Sequence, residues 1–328
     1  MSFRSTKYLV FIATFALFFS CGKSKEKEVE DSISSAHHLL STKQCQQAID
    51  LLENLGRQNS NAQYLKVLSS AYACRAQYST IIFFGSDIAL TATPAPLGGM
   101  TRYSSSQLTF SSPLAKDSNF KDLQTAIDIL LYAGGIDKAV DPSSSERAKY
   151  FSTNEAGDIN SQLVFMMMVQ VGRFMKVYAD PNAAGVKGGG SGANLCFSDY
   201  SNISDNDVLL ALANQPGVCK QVDSPHPQLD SSLVSATDRR ARLCQGVVLI
   251  NGILDLLPSV VIAAGGGKLG DIEDVTADIT AAKTVLTTAF PAGEVLTVLS
   301  QSTCESSLGI TDETIESYYA IIMEGLIK

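Results

Sequence analysis

Six of the seven cysteines, three histidines and two glycine-rich loops are the residues of this 328-residue chain with the types and spacing for chemistry. Cys45, Cys74, Cys196, Cys219, Cys244 and Cys304 could ligate a metal or pair as disulfides. No CxxC occurs, and His37, His38 and His226 stand outside any metal-ligand spacing with these thiols, so pairing is expected and no metal site is. His37 and His38 are adjacent and project to different sides of a helix, so they cannot form the i, i+4 grip on a metal. His226 lies in Ser-Pro-His-Pro, a rigid loop, where a surface or capping role is expected. As a general acid or base it would have to recruit carboxylates. Asp230 and Asp238 are close in sequence but read as the solvated face of the next helix.

The glycine-rich loops offer phosphate cradles only at first sight. In Val260-Val-Ile-Ala-Ala-Gly-Gly-Gly-Lys268 the position of the first required glycine holds Ile262, and Leu269 replaces the hydroxyl that would hold magnesium. The run also follows a helix rather than a strand. Lys187-Gly-Gly-Gly-Ser-Gly192 follows an Asp-Pro-Asn turn, lacks the dinucleotide pattern and frames no GxSxG nucleophile. Both read as loops. Met166–Met168 and Met175 share one helix and could line an adaptable groove, but a core role is expected. No catalytic residue is assigned, no cofactor is expected, and the chain does not read as an enzyme.

The elements that position these residues are helical. Apolar residues recur at helical spacing over 45–57, 61–76, 159–178, 205–213, 229–257 (closed by Pro258) and 315–327, with a further stripe of Ile272, Val275, Ile279, Ala282 and Leu286. The expected fold class is all-α. The apolar run 246–264 approaches transmembrane length, but Asn251, Asp255 and Pro258 interrupt it, so a buried bundle helix is expected.

Within residues 32–91 the chain echoes itself. Ala36, Leu39, Cys45, Ala48, Ile49 and Leu52 recur 33 positions later as Ser69, Tyr72, Tyr78, Ile81, Ile82 and Gly85. With Leu68-Ser-Ser-Ala-Tyr72 ending a first helix and Ile81-Ile82 opening a second, this spacing resembles the tetratricopeptide repeat, with a period of about 34 residues. Gly85 in place of a bulky residue, Lys43 in place of glycine and the lack of closing prolines depart from that pattern. The resemblance implies helical hairpins stacked as an array. A third fragment, Leu123–Leu130, repeats the Gln-x-Ala-Ile-Asp-x-Leu core of Cys45–Leu52 and opens a second helical block. If helices 45–57 and 61–76 turn back near Asn59, Cys45 and Cys74 lie 14 and 15 residues from the turn and face each other. A bridge there is expected, two buried free thiols being the alternative. Cys196–Cys219 and Cys244–Cys304 are one pairing of the rest, with crossed pairings equally open.

The N-terminus sets the address. Arg4 and Lys7 precede the apolar run Tyr8–Phe19, which is too short to span a bilayer, and Ser20 precedes Cys21. The stretch resembles a bacterial lipoprotein signal, with Phe18 where leucine is usual. That resemblance implies lipidation of Cys21 and attachment to the membrane through the acyl chains, and Gly22 favours the outer membrane, facing the periplasm. Loss of Arg4 and Lys7 with the leader takes the formal charge from −8 to −10. That balance argues against nucleic acid as a partner and against broad adhesion to anionic lipid. The expected organisation is a leader at 1–20, a charged tether at 21–31, tetratricopeptide-like hairpins at 32–91, a surface loop excursion at 92–121, and a helical body at 122–328 continuing the same core. The expected function is a lipid-anchored envelope scaffold that binds another envelope protein. The alternative is a periplasmic solute-binding or transport-accessory lipoprotein, similar in outline to the T component of TRAP transporters.

Overall fold

The computed structural model describes residues 24–91, 96–188, 196–203, 225–263, 280–281, 283–284, 287 and 293–327. Cys21, Cys219, the helix expected at 205–213, the Gly265–Gly270 loop with Lys268, and the stripe from Ile272 to Leu286 lie outside them. Among the described residues the fold is all-α, and the β contact present is an isolated bridge between Cys196 and Pro225.

The first helix among the described residues, α1 (Lys25–Ser41), begins inside the segment expected to be a tether. Ser24 accepts a hydrogen bond from Lys27 N, and Glu26 and Glu28 sit in the first turn, where the helix dipole favours negative charge. Val29, Ile33 and Ala36 then bury one stripe. The charged composition of 25–31 therefore marks the solvent face of a packed helix rather than a free linker. Helices α2 (Cys45–Glu53) and α3 (Ala62–Arg75) follow through short connections. The structure bonds Cys45 to Cys74 across the far end of this hairpin, with Cα atoms 5.6 Å apart.

The next helical segment, α4 (Thr80–Thr91), departs from the echo. Ala48, Ile49 and Leu52 are buried in α2, whereas their counterparts Ile81, Ile82 and Gly85 face solvent. The place beside α3 is taken instead by α6 (Ser118–Leu131), forty-odd positions further on. Here the shorter echo is kept. Ala126, Ile127 and Leu130 are buried like Ala48, Ile49 and Leu52, and Gln124 donates to Asp128 at 2.9 Å as Gln46 donates to Asp50 at 2.7 Å. Phe120, Leu123 and Ile127 give α6 a continuous apolar stripe that α4, with Gly85 and Ser86, lacks. More apolar area leaves water when α6 covers α3.

The chain between these two helices was expected to be a surface excursion. It is folded into the core through α5 (Pro96–Met100), short 3-10 turns at Ser104–Ser106 and Leu114–Lys116, and buried Leu97, Met100, Tyr103 and Leu114. Gly172 makes this possible: a Cβ there would collide with the Met100 carbonyl and the Ser106 hydroxyl.

A short helix, α7 (Ser144–Arg147), precedes the central α8 (Thr153–Tyr178), which starts earlier than the apolar pattern indicates. Ser152 and Glu155 form a capping box that sets its first turn. Helix α9 (Ala236–Ala263) starts later than expected, because Asp230 ties Ser232 into a turn and Ser235 caps the helix by accepting from Asp238 N. Pro258 lies inside α9 rather than at its end. By length and composition the segment Ala236–Pro258 could cross a membrane. In the fold it is a core helix: Asn251 donates to Val295 O and Val298 O at 2.9 and 3.0 Å and accepts from the Tyr318 hydroxyl. Asp255 accepts from Ser144 N at 2.6 Å.

The chain closes with α10 (Gln301–Ser306), bonded to α9 through Cys244–Cys304, and with α11, which runs Asp312–Tyr318 and continues through a π turn into Glu324–Leu326. Thus α1, α2, α3, α6, α8 and α9 each pack on the next in chain order, and one apolar core runs from Val29 to Ile327.

Candidate functional site: an uncovered apolar platform

The polar residues singled out from sequence do not converge. His226 is buried against Tyr178, edge to face at 5.3 Å, and its Nδ1 accepts from Gln228 N. Burial pushes its pKa down to about 4, so the ring is neutral at physiological pH. Asp230 and Asp238 are engaged in the turn and cap described above, not with the imidazole. His37 meets Gln63, and among the described residues no three His, Cys, Asp or Glu side chains gather as a metal site. Lys187, from the first glycine-rich loop, is nearly buried, pairs with Glu324 and stands over the Phe197 ring. Met166, Met167, Met168 and Met175 are core residues, and Gly252 leaves the room on α9 that the Met167 methyl fills. Cys196 is disulfide-bonded, but its expected partner, Cys219, is not among the described residues.

Two buried charge clusters escaped the sequence reading because their members are far apart in the chain. Arg239 pairs with Glu316 and Asp199 and donates to Leu229 O, while Glu316 also accepts from Asn202 N and Nδ2 at 2.8 Å. One π turn further, Glu324 accepts from Phe197 N and from the Tyr200 hydroxyl. Together Glu316 and Glu324 clamp residues 196–203 onto the bundle. Arg173, in the C-terminal part of α8, donates to the carbonyls of Ala76, Ser105 and Asn119 at 2.6, 3.1 and 2.8 Å. Burial lowers its pKa to about 10, which leaves it charged at neutral pH. Its lone cation ties the end of α3, the Ser104–Ser106 turn and the start of α6 together. These clusters satisfy their charges internally and present nothing to a ligand.

The feature that does face outward is α4. Ile81 is 86% exposed, Ile82 47% and Phe84 49%, all on one short helix. Its underside is fixed. Phe83 is buried between Tyr103 and Phe165, and Phe84 meets Phe165 edge to face at 4.7 Å. Asp87 is buried and accepts from Ser104 N and Oγ at 3.0 and 2.9 Å, and Thr91 bonds the Tyr103 hydroxyl at 2.5 Å. The π turn Phe83–Asp87 puts one phenylalanine inside and the next outside. Between Arg75 and Arg102, Asp87 is the one charged residue, so the platform carries no exposed charge. In the sequence, Ile81 and Ile82 read as core positions of a second repeat, and Gly85 was the one sign that this helix would not be covered.

Comparison with known proteins gives no match: no protein-family model, no curated protein and no solved structure is similar to this chain.

Proposed function

We propose that the protein is a lipid-anchored helical scaffold of the bacterial cell envelope, held at the outer membrane on the periplasmic side, that binds another envelope protein. The observation that carries the reading is the packing of successive long helices in chain order, from α1 to α9. Such stacks present a long continuous outer face and serve as binding surfaces rather than as reaction chambers. The bonded pairs Cys45–Cys74 and Cys244–Cys304 support an oxidising compartment. The basic n-region, short apolar run and Ser20-Cys21 support export with acylation. The outer face of α1 and α2, where Glu30, Ser34, His38 and Gln47 are exposed, is the polar surface for the partner.

Photo-crosslinking side chains placed at Glu30, His38 and Gln47 in intact cells should each trap the same envelope protein. Absence of any adduct at all three positions, with the chain still membrane-bound, would sink the scaffold reading. Cys21→Ala should release the protein from membranes, and continued sedimentation with them in detergent-free buffer would refute acylation at this residue.

A further inference from the structure

We propose that the Ile81–Ile82–Phe84 face of α4 docks on the lipid bilayer that holds the anchor. This rests on acylation of Cys21. Given that anchor, the start of α1 fixes how far the body can stand off. Ser24 already caps the helix, so only Cys21, Gly22 and Lys23 separate the lipid from folded structure. Whatever their conformation, three residues reach at most about 10 Å. The start of α1 is therefore held within that distance of the membrane, and the body can tilt about it until a second face meets the bilayer.

The α4 platform has the chemistry for that contact. It offers two branched aliphatic side chains and one aromatic ring, and its own helix exposes no charge. A chain of net charge −10 is repelled by anionic headgroups, and this uncharged stretch adds no repulsion of its own. The platform is rigid from below, through Phe83, Asp87 and Thr91, so docking needs no rearrangement. Three such side chains bury too little area to hold a free protein on lipid. They suffice for one already tethered, because the anchor supplies a high local concentration.

The orientation follows from the hairpins. Short connections make α1 and α3 run the same way, so Ser24 lies at one end of the array and α4, which follows α3, lies towards the other. Contact at both places lays α1 and α3 along the bilayer.

The chain contains no tryptophan, so Ile81→Trp introduces a unique fluorophore at a side chain that packs against little. Leu308→Trp, on the 98% exposed turn between α10 and α11, is the control. Each full-length acylated variant is reconstituted into phosphatidylcholine vesicles with and without brominated acyl chains. The expected result is several-fold stronger quenching by brominated lipid in I81W than in L308W, reduced when Phe84→Ser is added to I81W. Equal, weak quenching in both variants while the protein floats with the vesicles would overturn docking and leave the anchor standing. Failure to float, with an unmodified Cys21 peptide by mass, would remove the anchor and the docking with it. A blue shift in I81W that grows with protein density and survives in detergent would assign the face to a second copy of the chain and overturn the proposal.

Discussion

Two side chains show how burial, more than sequence neighbours, sets the chemistry of single residues here. Asp128 is half-buried on α6, and desolvation pushes its pKa up to about 6 although Gln124 donates to it. A carboxyl raised in the folded state favours the protonated form, so its stabilising contribution is present below its unfolded value near 4 and is lost as pH rises through about 6. Asp128→Asn keeps the Gln124 hydrogen bond and should raise stability at pH 7 by about 1–2 kcal/mol, with no gain at pH 4, in urea titrations at the two pH values. His226 has the opposite slope. Its pKa is lowered to about 4, so its contribution is present above the unfolded value near 6.5 and lost as pH falls through 4. Glu316 belongs at this scale too. It is fully buried opposite Arg239, and Glu316→Ala strands that cation, so a loss of about 3–5 kcal/mol is expected in the same assay. A loss under about 1 kcal/mol would mean that Asp199 alone satisfies Arg239.

At the scale of elements, the hairpin α2–α3 was readable and its sequel was not. Nearly equal distances from the turn placed Cys45 opposite Cys74, because antiparallel helices pair residues by simple counting. Replacing both by serine should cost about 2–4 kcal/mol, since the bond restrains a loop in the unfolded chain. Reducing the native protein also opens Cys244–Cys304 and the Cys196 bridge, so its loss, measured by urea midpoints with and without reductant, should exceed that of the double serine variant. Counting fails at α4 because the repeat pattern says which residues are apolar but not which of two candidate helices reaches α3 first. Two segments, 81–85 and 123–130, carry related patterns, and the one with more apolar area won. The displaced helix kept its core-like residues and turned them outward. The same logic explains α5: Leu97 and Met100 sit in a stretch whose Thr, Pro and Gly content reads as loop, yet Gly172 on α8 opens the room that lets them pack.

Across the whole molecule, Arg173 and the chain-order stacking join the N-terminal hairpins to the C-terminal body, while the Arg239 cluster holds that body together. Arg173 on α8 alone binds carbonyls from three separate segments. The boundary near residue 122 is therefore not a line of independent folding. Near- and far-ultraviolet circular dichroism should give one coincident unfolding transition with the disulfides intact, and two separated midpoints would contradict a single core.

Helical periodicity, the leader-like N-terminus and the six cysteines beyond Cys21 are properties of local order along the chain, and the sequence alone supported the all-α class and the expectations of a Cys45–Cys74 bridge and a lipid anchor. The course of the tether, the burial of residues 97–114, the clamp of Glu316 and Glu324 on residues 196–203 and the exposure of Ile81, Ile82 and Phe84 were decided by tertiary structure. Each of these depends on competition among distant segments for the same apolar surface or the same buried charge. That competition is settled by total area covered and charges satisfied, quantities that no single stretch of sequence contains.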